Sequence, residues 1–327
     1  MKSLNRRIVS AALLAACAPF AAQAQAPAPN WASKPIRIVV PFAPGGTTDI
    51  VARMIGQRLG PALGTTVVID NKPGANGIMG SEVVARAPAD GHTLVIVAPG
   101  HASNVTLYKK LPYDTLTDFE PILLLLTQPS VLVVHPSVPV TSTAELIRRA
   151  KAQPGMVSYA SGGNGSSQHL AAAMFADMAG IELVHVPYKG SAPAEADLLG
   201  GQVNMMLASM VSALPQVKSG RLRALAVSSE RRSPAAPDLP TVAEAGVPGY
   251  SAVAWAGLLA PKGTPPQTLA ALNAAVTKIM NEPEVKEKLA GLGADFSPNT
   301  PKGFDQFIRS EITRWGEVIR RSNLKVD

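Results

Sequence analysis

A chain of 327 residues with 46% hydrophobic and only 16% charged residues is too long for one ordinary domain and too apolar to be disordered. Its formal net charge of +7 is spread without any cluster of Lys and Arg interleaved with aromatics, which argues against nucleic acid as a partner. The 27 glycines and 29 prolines are scattered, so the chain reads as many short connections between compact elements and not as a fibrous polymer.

Residues 1–24 read as an export signal, with a basic start (Lys2, Arg6, Arg7), an apolar run from Ile8 to Ala16 and an A-x-A ending at Ala22, Gln23 and Ala24. A Pro- and Ala-rich spacer follows over 25–33. No later stretch reaches the length of a membrane span, so a soluble protein outside the cytoplasm is expected. Cys17, the sole cysteine, lies inside the signal, and cleavage after Ala24 leaves no thiol. Leu14 to Cys17 also fits a lipoprotein box with Cys17 as the anchor. Cleavage at Ala24 is preferred because the apolar run continues past Cys17 to a good A-x-A site. Loss of Lys2, Arg6 and Arg7 takes the basic count from 30 to 27 against 23 acidic residues, a mature charge of +4. That charge mildly favours anionic solutes.

The first predicted strand, Ile36 to Val40, leads into PFAPGGTTD (41–49) and then the helix IVARMIGQRLG. A strand at 66–70, a glycine-rich loop, a helix at 78–87 and a strand at 93–98 continue the alternation, which predicts a parallel sheet with helices on its faces. YKKLPYDTLTDFEP (108–121) is turn-rich and precedes two apolar runs, PILLLL and VLVVHP. The interruption between them, Thr127 to Ser130, is the predicted crossing from one lobe to the other. Ser142 and Glu145 have capping-box spacing for a helix that Pro154 and Gly155 end. Beyond it come a strand, a turn and a helix at 167–179, strands at 183–186, 203–207 and 222–228, and helices at 193–200 and 211–219. Residues 229–249 carry the chain back, and SAVAWAGLLAP reads as a returning strand. Thr264, Glu282 and Thr300, each before a proline, mark three helix starts. In the last helix Phe304, Phe307, Ile308, Ile312, Trp315 and Ile319 form a packing stripe. The expected fold is α/β, with two Rossmann-like lobes and a ligand cleft between them: lobe 1 over 34–128 plus 250–327, lobe 2 over 129–249.

The most informative stretch is VSYASGGNGSSQHLAAAM (157–174), a strand, a glycine-rich turn and a helix without a break. Such a turn lets backbone approach a ligand, and the helix start aims unpaired N–H groups at it, which is the anatomy of an anion site. The stretch at 36–60 repeats that anatomy, so a ligand gripped from two sides is expected. No G-x-S-x-G, H-E-x-x-H, C-x-x-C or P-loop signature occurs, and Gln168 stands where a third G-x-G-x-x-G glycine would fall. The five histidines are not at metal-ligand spacing. His169, early in the key helix, either donates to an anion or packs against the loop. Asp49 would repel an anion and more simply pairs with Arg53 four residues on, although it could receive a hydroxyl or ammonium. Lys189 is the nearest candidate cation; the bland reading is a solvated loop lysine.

These segments resemble the extracytoplasmic solute receptors of tripartite tricarboxylate transporters, also called Bug receptors. The likeness rests on IRIVVPFAPGGTTDIVAR, NKPGANGIMG, VARAPADGHTL, LYKKLPYDTLTDFEPI, VSYASGGNGSSQHLAAAMF, HVPYKGSAPAEADLLGGQV, GRLRALAVSS, DLPTVAEAG and WAGLLAPKGTP, in collinear order over nearly the whole mature chain. The resemblance implies a Venus-flytrap fold of the type II periplasmic binding protein kind, and a non-enzymatic monomer without cofactor or metal. It implies a periplasmic receptor that closes over a small organic carboxylate and presents it to the membrane permease subunits of such a transporter. It carries ligand contact onto Phe42, Pro44, Gly45, Gly46, Thr47, Thr48 and Asp49 in the first loop. In the second it marks Ser161, Gly163, Gly165, Ser166 and His169, with the turn containing His101 and residues Tyr188 and Lys189 lining the remainder. The family commonly has Phe-Asp after GQVNMM, whereas Leu207 and Ala208 stand here, which argues against an amino-bearing ligand. An orphan sensory module signalling to a membrane partner is the alternative; a secreted hydrolase is disfavoured by the missing catalytic residues.

Overall fold

A computed structural model describes residues 32–322 and 324. The export signal at 1–24, Cys17 and most of the spacer therefore lie outside the described residues. Nine strands form one mixed sheet. Strand β1 (Ile36–Val40) runs parallel to β2 (Val67–Asn71) and β3 (Thr93–Val97), while β9 (Val253–Pro261) is antiparallel to both β3 and β4 (Phe119–Val134). The far end of β4 pairs antiparallel with β7 (Met205–Ser209) and β8 (Arg223–Val227). Beyond β7 lie the parallel strands β5 (Ser158–Ser161) and β6 (Val184–Pro187). The parallel triplets match the alternation of strand and helix, but the three antiparallel members, β4, β8 and β9, correct the expectation of parallel sheets throughout.

The interruption read at Thr127 to Ser130 is likewise corrected, because β4 is a single strand of 16 residues. Thr127, Gln128 and Pro129 stay in register with Trp255, Ala254 and Val253. From Ser130 the partners become β7 and β8. Pro129 has no N–H to give a ladder and sits where the strand changes partners, a position that tolerates it.

Helix α1 (Thr47–Leu63) follows β1, α2 (Ile78–Ala85) follows a short 3-10 turn at Ala75–Gly77, and α3 (Gly100–Leu107) follows β3. The residues read as a turn at 100–103 thus begin a helix. Pro99 caps it without a side-chain bond, so no start signal was present in the sequence. Helices α4 (Thr143–Ala152), α5 (Ser167–Ala179), α6 (Ser191–Leu199) and α7 (Met210–Lys218) belong to the second half. The chain ends in α8 (Pro266–Met280), α9 (Pro283–Gly291) and α10 (Pro301–Arg321). Glu282 and Thr300 cap α9 and α10 as expected; α8 starts one residue late, with Pro265 as its cap.

One hydrophobic core runs through both halves, from Val39 and Val97 through Leu132 and Tyr159 to Phe304 and Trp315. Helix α10 packs on α3, β4 and α5 and so backs both halves of the sheet. Its buried stripe includes Glu311, which shares a face with Phe304, Ile308 and Trp315 although it is charged. That carboxylate accepts the indole N–H groups of Trp255 and Trp315 at 2.8 and 2.9 Å and pairs with Arg314.

Candidate functional site

Two sets of parallel strands, β1 with β3 and β5 with β6 and β7, run in opposite directions, end facing each other near the middle of β4, and feed into α1, α3, α5, α6 and α7. Ligands of open α/β sheets bind beyond such strand ends. There a hollow of about 300 Å³ is lined by Phe42, Gly46, Thr47 and Thr48 from the first loop and by Ser167 and Gln168 from α5. Ser191 opens α6, Ser209 caps α7, and Ser130 and Trp255 form the wall behind them. An adjoining hollow of about 320 Å³ shares Phe42, Pro99 and Ser167 and extends to Asn76, Gly77, Gly162 and Ser166.

Among the described residues no acidic, basic or histidine side chain lines either hollow. The positive potential comes from backbone instead. Helices α1, α6 and α7 begin without a side-chain cap, so their first N–H groups remain available, whereas at α3 the His101 and Ala102 N–H groups donate to the Ala98 and Pro99 carbonyls. Helix α5 is capped by Ser166, which accepts the His169 N–H. Four N-termini with free N–H groups around uncharged walls, each adding about 0.3 to 1 kcal/mol for a nearby anion, suit a negative group and offer no carboxylate to an ammonium.

The sequence-derived residues divide into wall and frame. Phe42, Gly46, Thr47, Thr48 and Ser166 line the hollows, whereas Pro44, Gly45, Asp49, His101, Ser161, Gly163, Gly165, His169, Tyr188 and Lys189 do not. The buried Asp49 carboxylate is saturated, accepting from Gly45 N–H at 3.0 Å, Asn71 Nδ2 at 2.9 Å and Arg53 Nε and Nη2 at 3.0 and 2.9 Å. The hydrogen bond from Arg53, aided by those from Gly45 and Asn71, holds its carboxyl down at about 2. Asp49 therefore braces the first loop.

His101 is buried edge-on against Phe119, with centroids 5.1 Å apart, and burial alone depresses it to about 3. His169 is also buried, and its Nδ1 accepts the Gly165 N–H at 3.0 Å. Ser161 is turned inward to His185 and Gly163. Tyr188 donates its hydroxyl to Asp197 at 2.7 Å, and Lys189 is exposed on the loop before α6.

The sequence reading missed Gln168, Ser191, Ser209, Ser130 and Trp255. The first three had a usable signal, since each stands at or next to a strand-to-helix junction. Ser130 and Trp255 had none, because their place depends on β4 and β9 lying side by side. Leu207 and Ala208, where the family's Phe-Asp was missing, are buried in β7 and line neither hollow; the wall residue of that strand is Ser209.

Residues 51–324 match the family model described as tripartite tricarboxylate transporter family receptor. The chain belongs to this TctC receptor family. Protein BugT of Bordetella pertussis is 38% identical over 320 residues, covering 96% of this chain and 98% of BugT. A UPF0065 protein from the tcbD-tcbE intergenic region of a Pseudomonas species is 41% identical over 320 residues, 98% of this chain and 95% of that protein. Among solved structures, R. palustris Rpa4515 with adipate superposes with a TM-score of 0.81 at 38% identity, covering 90% of this chain and 99% of that one. MatC (Rpa3494) from Rhodopseudomonas palustris with bound malate gives 0.77 at 35% identity, covering 88% and 99%. The TctC receptors are solute-binding proteins, and this chain is accordingly a receptor of that kind and not an enzyme. Among its described residues no helix is long and apolar enough to cross a membrane.

Proposed function

We propose that this TctC receptor captures a small organic carboxylate in the hollow between the first loop and the start of α5. In this reading it acts in the periplasm as a monomer and hands the solute to the permease subunits of a tripartite tricarboxylate-type transporter. The observation that carries the proposal is the convergence of four helix starts, those of α1, α5, α6 and α7, on walls without a charged side chain. Adipate and malate in the two related structures support the ligand class. Thr47, Thr48, Ser167, Ser191 and Ser209 supply hydroxyls for the ligand, and Phe42 supplies apolar surface for its body. Helix termini at about 0.3 to 1 kcal/mol each and a few charge-assisted hydrogen bonds at about 1.5 to 3 kcal/mol each reach the roughly 8 kcal/mol of micromolar binding.

In this proposal the lobes are 34–128 plus 250–327 and 129–249, and closure brings their loops onto one ligand. A thermal-shift panel tests it: mono-, di- and tricarboxylates, amino acids, sugars and metal cations at millimolar concentration. Stabilisation by at least one carboxylate, with none by sugars, amino acids or cations, is expected. Stabilisation by sugars or cations alone would remove the proposal.

A further inference from the structure

The turn between β5 and α5 is gripped from behind by two histidines belonging to different elements. His169 of α5 and His185 of β6 stack face to face, their ring centroids 3.9 Å apart and their planes 11° from parallel. Tyr159 of β5 extends the stack, 4.8 Å from His185. His169 Nδ1 accepts the Gly165 N–H at 3.0 Å, which assigns its own proton to Nε2.

His185 Nε2 lies 2.6 Å from Ser161 Oγ. The same hydroxyl accepts the Gly163 N–H at 3.1 Å and faces the Gly163 carbonyl at 3.2 Å. A hydroxyl has one proton and two lone pairs. The fully satisfied arrangement has His185 Nε2–H and Gly163 N–H donating to Ser161, and Ser161 donating to the Gly163 carbonyl. Each imidazole thus controls one glycine of the turn, and both glycines need a backbone that L side chains rarely adopt, with φ of +121° at Gly163 and +75° at Gly165.

We propose that His169 and His185 work as one paired positioning unit that fixes the backbone directions of the Gly162–Ser166 turn and so sets the affinity of the hollow without touching the ligand. Neither ring lines the hollow, whereas Gly162 and Ser166 do. Burial holds both imidazoles neutral, near 4. Neutrality keeps Nδ1 of His169 an acceptor and spares two stacked rings mutual repulsion. The link from turn geometry to affinity rests on the carboxylate reading given above; the grip on the turn does not.

The test replaces each ring with and without its hydrogen-bonding atom. His169→Asn keeps an acceptor near the Nδ1 position and His169→Leu does not; His185→Gln keeps a donor near Nε2 and His185→Leu does not. Amide exchange of the mature protein at pH 7, followed by NMR, reads the turn without any ligand. Gly165 is expected to exchange about tenfold faster in His169→Leu, and Gly163 about tenfold faster in His185→Leu, with Asn and Gln restoring protection and β7 amides unchanged. Affinity for adipate, used as the probe, follows the same order. Nitrogen-15 histidine spectra of the unaltered protein give a reading free of variants: His169 unprotonated at Nδ1. Unchanged glycine protection in both Leu variants, Asn and Gln no better than Leu, or a proton on His169 Nδ1 would overturn the unit. Lost protection with unchanged adipate affinity would overturn its link to binding. Failure of adipate to bind the unaltered protein would count against the carboxylate reading, leaving exchange to judge the histidines.

Discussion

Asp49 and Glu311 are both buried acids, and neither meets the ligand in this account. Asp49 holds the first loop shut on itself through Gly45, Asn71 and Arg53. Asp49→Asn presents an amide N–H₂ to donors and leaves the Gly45 N–H with a weaker acceptor. A loss of about 1 to 3 kcal/mol in urea unfolding is expected, together with weaker ligand binding, since Gly46 to Thr48 follow directly. The partner Arg53 is half exposed, so its charge contributes less than its two hydrogen bonds suggest. Glu311 anchors the buried indole of Trp255, a residue that also lines the hollow. Glu311→Leu strands two indole N–H groups and Arg314, with an expected cost of about 3 kcal/mol and a shift in tryptophan emission. Unchanged stability and emission in that variant would show that the two indoles find other acceptors.

At the scale of elements, the Asn76 amide links segments far apart in sequence. Held at φ 51°, its Nδ2 donates to Asn104 Oδ1 at 2.9 Å and, across the cleft, to the Gly165 carbonyl at 3.3 Å. A Cβ on Gly165 would lie 3.2 Å from that nitrogen and 3.1 Å from Leu107. Gly165→Val is therefore expected to abolish ligand protection against heat while circular dichroism shows the fold intact; retained affinity would contradict this role for the turn.

The β5-turn-α5 unit was legible in sequence because its signals are local: glycines where φ must be positive, a serine cap, and an apolar helix face. The continuity of β4 was not, since Thr-Gln-Pro-Ser reads as an interruption between two apolar runs unless the register with Val253, Ala254 and Trp255 is known. Glu311 was invisible for the same reason, because one of the indoles that justify burying it is 56 residues away. Asp49 was legible as an Arg53 partner from its i, i+4 spacing, while family resemblance pointed it at the ligand.

Across the whole molecule, acid should loosen the fold. His101, His169 and His185 sit at about 3, 4 and 4, against an ordinary value near 6.5. The unfolded chain therefore takes up protons that the folded chain refuses. Stability is full above roughly pH 6.5 and declines as pH falls from there toward 4. The buried His101 and His169 each contribute about 2 kcal/mol of loss between pH 7 and 5 and the partly buried His185 contributes less, readable in urea midpoints. A flat profile over that range would place the rings in water.

The two chain crossings between the halves are tied by the buried Ser228, whose hydroxyl accepts the Ser130 N–H and donates to the Ala252 carbonyl. Ser228→Ala removes both bonds and is expected to cost about 2 kcal/mol. In the proposed site helix termini, not cations, hold the carboxylate. Isothermal titration with a binding carboxylate and its uncharged primary amide, matched in shape, tests it most directly. The account predicts micromolar binding of the acid and at least about a hundredfold weaker binding of the amide. Equal affinity for the two would contradict it.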